Sequence, residues 1–212
     1  PGDARSSYPW GMLRRVVLVV ASVLLAPALA RADDTFGLAL HVAPDAGKPV
    51  RDEAWIRDQI ANAEKLYTPL GVRFRWVTED ALSDRFAALE TRADRDALAS
   101  VLEPRVVNVM VVRSLRDVDD PALLRMGVCW RPKADTTYII LASTARPTVL
   151  AHELGHYFGN QHSTVVNNIM SYLRADGDVF FDAKQSATVK WTARDLVGRG
   201  LLSPLPPSRF WP

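Results

Sequence analysis

Three of the chain's four histidines fall within residues 152–162, in the segment H-E-L-G-H-Y-F-G-N-Q-H. His152 and His156 are four apart, so on a helix they stand one turn above the other on the same face. Two imidazole nitrogens can then converge on one metal ion, with Glu153 projecting beside it. A helix that continued would carry the chain away from that ion. Gly159, in the left-handed region, would end the helix and turn the chain back, so that His162 arrives as a third ligand from outside it. Each histidine alone reads as a surface or satisfied core residue. The five fixed positions together arise by chance in one chain this long on the order of once in 10⁴.

Three neutral imidazoles leave one position of a tetrahedral zinc open, and water there has its pKa lowered to about 7. The chemistry this implies is metal-assisted hydrolysis, with Glu153 removing the proton of the water and passing it to a leaving amine.

The rest of the chain predicts a mixed sheet with helices on it. Residues 35–43 alternate as a first strand, and 51–67 place Trp55, Ile56, Ile60, Ala63 and Tyr67 at helical spacing before Pro69-Leu70-Gly71. V-R-F-R-W-V (72–77) reads as a second strand whose Arg73 and Arg75 form its solvent face. Residues 79–102 are charged, Ala-rich and helical in part, with Asp94 as a cap. The nearly continuous apolar run 106–112 has the pattern of a central strand buried on both faces. Residues 126–130 (M-G-V-C-W, ended by Arg131-Pro132) and 136–142 are further strands. The motif helix is expected from Pro147, a good first-turn residue, and a late helix at 183–197. There is no internal repeat. The fold class is therefore α/β of the mixed, α+β kind.

Residues 1–30 read as a leader. Met12 is the expected start, Arg14-Arg15 a short basic region, and 16–30 an apolar run ending in small residues, with cleavage after Ala30 or Ala32. At 15 residues, Pro27 included, the run is short for a membrane span, which needs about 20; an uncleaved anchor is the alternative. Residues 31–202 then form one domain and 203–212 a Pro-rich tail. Export to the periplasm or outside the cell follows, with no stable membrane insertion once the leader is cleaved.

Of 26 basic and 24 acidic residues, Arg5, Arg14, Arg15 and Asp3 fall in that leader, so the remainder is formally neutral. Without a basic run there is no electrostatic footprint for nucleic acid, and a monomer is expected. Cys129 is the only cysteine, which excludes an intrachain disulfide and leaves stability to the core. His41 is read as structural. Asp176-Gly177-Asp178 looks like a fragment of a calcium loop, although one acidic turn is more simply a solvated turn.

The segment from His152 to Tyr172 resembles the metzincin clan of zinc metallopeptidases. The resemblance implies zinc on His152, His156 and His162, Glu153 as general base, and a Met-turn beneath the metal. N-N-I-M-S-Y supplies that turn, with Met170 eight residues after His162. The short gap and Ser163 are similar to matrixins. Tyr172, two residues past the Met, resembles astacins and serralysins, where a Tyr reaches the zinc and stabilises the oxyanion. The fold so implied is a twisted mixed sheet with an antiparallel edge strand, an active-site helix, and a small C-terminal subdomain holding the Met-turn and the late helix. Peptide or protein substrates in extended conformation would pair with M-G-V-C-W. Cys129 lies inside the expected fold, whereas thiolate switches sit in a propeptide, so it is read as a strand residue. Two other functions stay open: a catalytically weak zinc-containing binding module, and a hydrolase of a small non-protein amide.

Overall fold

The computed structural model describes residues 33–206. The expected leader, its start at Met12 and residues 207–212 of the tail lie outside them.

The main elements are β1 (Asp34–Val42), α1 (Glu53–Tyr67), β2 (Val72–Ala81), α2 (Arg92–Ala97), β3 (Val107–Val112), β4 (Gly127–Lys133), β5 (Thr136–Ala142), α3 (Val149–Tyr157) and α4 (Ala183–Gly198). The strands form one sheet in the order β2-β1-β3-β5-β4. The first four run parallel, and β4 pairs antiparallel with β5. The fold class is therefore the mixed α/β one that the sequence implies, with an antiparallel edge strand.

Period-two alternation divides the sheet residues between two cores. Val107, Val109, Val111, Ile139 and Leu141 point to the face that also buries Ile56, Ala63 and Tyr67 of α1, Leu150 and Leu154 of α3, and Val189 of α4. Met110, Val112, Tyr138 and Ile140 point to the other face, covered by Leu82, Phe86, Leu89 and Leu98. Because both faces are covered, β3 needs an unbroken apolar sequence, and all six of its residues are buried.

Several boundaries differ from those the sequence suggests. β2 runs past Val77 to Ala81 because β1 keeps offering backbone partners; a bulge leaves Val77 outside the register, with Leu38 opposite Trp76 and Ala39 opposite Thr78. In 79–102 the N-cap is Thr91 and not Asp94. Thr91 accepts from the Asp94 backbone N–H while the Asp94 carboxylate accepts from the Thr91 N–H, a reciprocal capping box in which Asp94 is the third helical residue. β4 continues through Pro132 to Lys133, since a residue without an N–H is tolerated on an edge strand. α3 begins after Thr148, so Pro147 lies before the helix rather than in its first turn.

His41 is 2% exposed and belongs to the second face. Its Nε2 lies 3.0 Å from Asn108 Oδ1, and that oxygen also accepts from the Glu103 N–H while the Asn108 amide donates to the Glu103 carbonyl. The chain returns to its first strand at the end: Pro204 bridges antiparallel to Phe36, and the Leu205 N–H donates to the Thr35 carbonyl at 2.7 Å. No helix among the described residues is long and apolar enough to cross a membrane.

Replacing Asn108 by Val orphans His41 and both Glu103 backbone groups. The expected loss is about 2 kcal/mol, or a melting temperature roughly 4–8 °C lower by calorimetry.

Candidate metal centre

α3 carries two of the histidines, and its ends explain how the third reaches them. Thr148 gives the helix no side-chain cap. Gln59 of α1 does instead, accepting from the Leu150 N–H at 3.1 Å while donating to the Arg146 carbonyl at 2.9 Å. Tyr67 donates to the Ala151 carbonyl from inside the core. At the other end Gly159 has φ +90°. Its N–H donates to the His156 carbonyl and the Asn160 N–H to that of Gly155, the two reverse bonds of a Schellman ending. The chain turns back here, as the left-handed glycine predicts, and brings His162 to the helix face.

His152 Nδ1 lies 2.7 Å from the Ile169 carbonyl and His156 Nδ1 2.8 Å from that of Asn160. A carbonyl only accepts, so each ring carries its proton on Nδ1 and presents an Nε2 lone pair. His156 Nε2 and His162 Nε2 are 3.1 Å apart, close to the roughly 3.3 Å that two nitrogens on a tetrahedral zinc maintain. One ligand atom from each of the three rings lies within 4.8 Å of the others. Burial holds the rings neutral: it lowers His156 to about 4 and depresses His152 and His162 as well. Neutral imidazoles with converging lone pairs fit a bound metal ion, which these three residues could hold. Among the described residues this is the only such cluster of His, Cys, Asp and Glu side chains.

Glu153 is 5% exposed. Burial pushes its carboxyl up to about 8, against the pull of the Cys129 backbone N–H and Arg125. Gly127 lets β4 lie this close: a Cβ there would stand 2.6 Å from Val149 Cγ1 and 3.0 Å from Glu153 Oε1. Burial likewise raises the Cys129 thiol to about 12, which keeps it protonated and fits its reading as a strand residue.

Met170 is fully buried beneath α3. It sits in a turn closed by the Ser171 N–H on the Asn168 carbonyl, while its own N–H donates to Asn168 Oδ1. Tyr172 is 67% exposed and swings over the triad, its hydroxyl 2.9 Å from His162 Nε2. Asp176 and Asp178 are exposed and stand outside the cluster.

Other residues of the site carry no motif. Arg174 donates to the carbonyls of Asn168, Ile169 and Ser171 and so fastens the Met170 turn. Gln185 exchanges two amide hydrogen bonds with Asn168, and its carbonyl accepts from the Asn160 amide at 3.4 Å. Only the Asp182-x-x-Gln185 capping pattern marks Gln185 in the sequence, and it marks a helix start. Two cavities flank the triad. One of about 360 Å³ is bordered by Glu153, His156, His162 and Tyr172; the other, about 280 Å³, by Val149, His152 and Glu153. A larger groove of about 710 Å³ near Arg105 and Trp191 touches neither the histidines nor Glu153, so its size does not make it the chemical site.

Gly155, inside the motif, is the position where helix and turn come closest: a Cβ there would stand 2.2 Å from Met170 Sδ. Alanine would gain about 1 kcal/mol of helix propensity, but overpacking costs about 1–3 kcal/mol, and the Met170 side chain that would have to move is fully buried. Gly155→Ala is therefore expected to lower the melting temperature in the native background. In a Met170→Ala background it should be neutral or stabilising, a sign reversal that a double-mutant cycle reads directly.

No family model and no curated protein matches the sequence. Solved structures do match the fold. Metalloproteinase-II from Bacteroides fragilis aligns with TM-score 0.55 and 14% identity over 78% of this chain, which spans only 55% of that protein. Archaemetzincin from Methanopyrus kandleri gives TM-score 0.51 and 17% identity over 78% of this chain and 99% of its own. Mature mirolysin of Tannerella forsythia, in complex with a cleaved peptide, gives 0.51 and 11% over 80% and 98%. At such identities the likeness is one of fold, and the fold of this chain is that of the metzincin-like metallopeptidases.

Proposed function

We propose that this chain is an exported zinc-dependent metalloendopeptidase. The observation that carries the reading is the convergence of three Nε2 atoms, two of them on rings locked by backbone carbonyls, beside one buried carboxyl. Zinc, when bound, supplies a Lewis acid for the scissile carbonyl and an acidified water.

The chain's own groups do the rest. Glu153 lies beside the open side of the triad. Next to a bound cation its carboxyl returns to the ionised form, takes a proton from the water, and delivers it to the leaving amine. Tyr172, exposed beside the triad, is the donor for the oxyanion. Met170 closes the floor as a Met-turn residue. The outer edge of β4 has no strand partner among the described residues, and both flanking cavities open beside it, as binding an extended peptide by strand addition requires. That mirolysin, of like fold, is seen in complex with a cleaved peptide supports a peptide substrate. The long open edge favours this over a small amide. A leader at residues 1–30 would deliver the enzyme out of the cytoplasm.

Zinc-loaded protein and its Glu153→Ala variant, incubated with a diverse peptide pool, test the reading. Both should hold about one zinc, and only the first should cleave. Equal cleavage by the two would remove Glu153 from the chemistry; zinc in both with cleavage by neither would favour the binding module. Tyr172→Phe is expected to retain zinc and lose roughly ten- to a hundredfold in kcat, measured under saturating substrate. An unchanged kcat would make Tyr172 a packing residue.

A further inference from the structure

The cavity beside His152 and Glu153 is where charge is least balanced. Its 280 Å³ is bounded by the apolar Val149 and Met126 and by three arginines, Arg125, Arg146 and Arg174, against a single acid, Glu153. Arg125 is matched by Asp117 at 2.5 Å. Arg174 spends its donors on backbone carbonyls, which leaves its charge without a carboxylate partner among the described residues. Arg146 differs from both. Its backbone is fixed through the Gln59 bond to its carbonyl, yet among the described residues its guanidinium meets no carboxylate and no hydrogen-bond acceptor. The cavity on the other side of the triad is better balanced, its arginines facing Asp117, Asp119 and Glu153.

We propose that the cleft selects substrates with an acidic side chain next to the bond that is cut, and that Arg146 meets that carboxylate. The proposal rests on the hydrolytic reading above. The cavity touches His152 and Glu153, so the side chain that fills it belongs to a residue close to the reacting carbonyl. An Asp or Glu carboxylate there accepts the paired N–H donors of a guanidinium in planar, bidentate fashion. The isosteric amide leaves the charges of Arg146 and Arg174 unmatched, and a basic side chain is repelled by both. Arg146 is exposed, so the pair forms at the mouth of the cavity, beside the apolar Val149 and Met126.

A fluorescent ten-residue peptide series carrying one Asp, or one Asn in its place, at each position in turn tests this. Cleavage is followed with the zinc-loaded enzyme, and binding by anisotropy with zinc-loaded Glu153→Ala. At one position Asp should exceed Asn by about tenfold or more in both readouts. Arg146→Glu should invert that preference and Arg146→Lys preserve its direction. Equal affinity for Asp and Asn at every position, or a preference that survives Arg146→Glu unchanged, overturns the proposal whether or not peptides are cut. Binding preference without cleavage by the native protein leaves the acidic recognition standing and overturns the hydrolytic reading instead.

Discussion

An imidazole can lend one nitrogen to a metal ion in a fixed direction only if something holds the other. Much of the C-terminal half of this fold follows from that constraint. His152 is held by the Ile169 carbonyl and His156 by that of Asn160. Those acceptors lie in different loops, yet both loops are tied to Gln185, through its side chain to Asn168 and through its carbonyl to Asn160. Gln185 is itself fixed in the first turn of α4 by the capping box with Asp182. A helix that touches no reacting group thus sets the orientation of two metal-type side chains.

The steric counterpart is a pair of glycines on opposite sides of α3. Gly127 admits β4 over Glu153, and Gly155 admits Met170 beneath the helix. Each forgoes side-chain packing, and Gly155 also sacrifices about 1 kcal/mol of helix propensity. The return is that two layers approach the same turn of helix, which shields Glu153 and gives its carboxyl the high proton affinity of a desolvated acid.

What was legible in the sequence is what depends on local spacing. The i, i+4 histidines, the left-handed Gly159 and the period-two strands all follow from backbone geometry alone, and each is found where that geometry places it. Thr91 and Asp94 show the limit: both residues can cap a helix, and only the pairing of their side chains with each other's backbone decides which is first. The reach of β2 past Val77 depends on its neighbour β1, since its own Glu79 and Asp80 argue against a strand. Gly155, Arg174 and Gln185 were not legible either. No motif encodes their contacts: Arg174 with the carbonyls of its own turn, Gln185 with Asn168 and Asn160, and Gly155 with Met170, where the importance lies in an atom the glycine lacks.

The antiparallel bridge between Pro204 and Phe36, with Leu205 bonded to Thr35, bears on how the molecule assembles. β1 pairs with β2 along its whole length but with β3 only from Leu38 onward, so the start of β1 finds its second neighbour in residues more than 160 positions later. Chains dominated by such distant pairings fold slowly. A polypeptide made from its N-terminus holds part of its first strand unpaired on that side until Pro204 and Leu205 are in place. The cleft assembles within that same interval, because its histidines, its floor and α4 all belong to the final third of the chain. The start of the sheet and the metal-binding geometry are therefore completed by the same late stretch of chain.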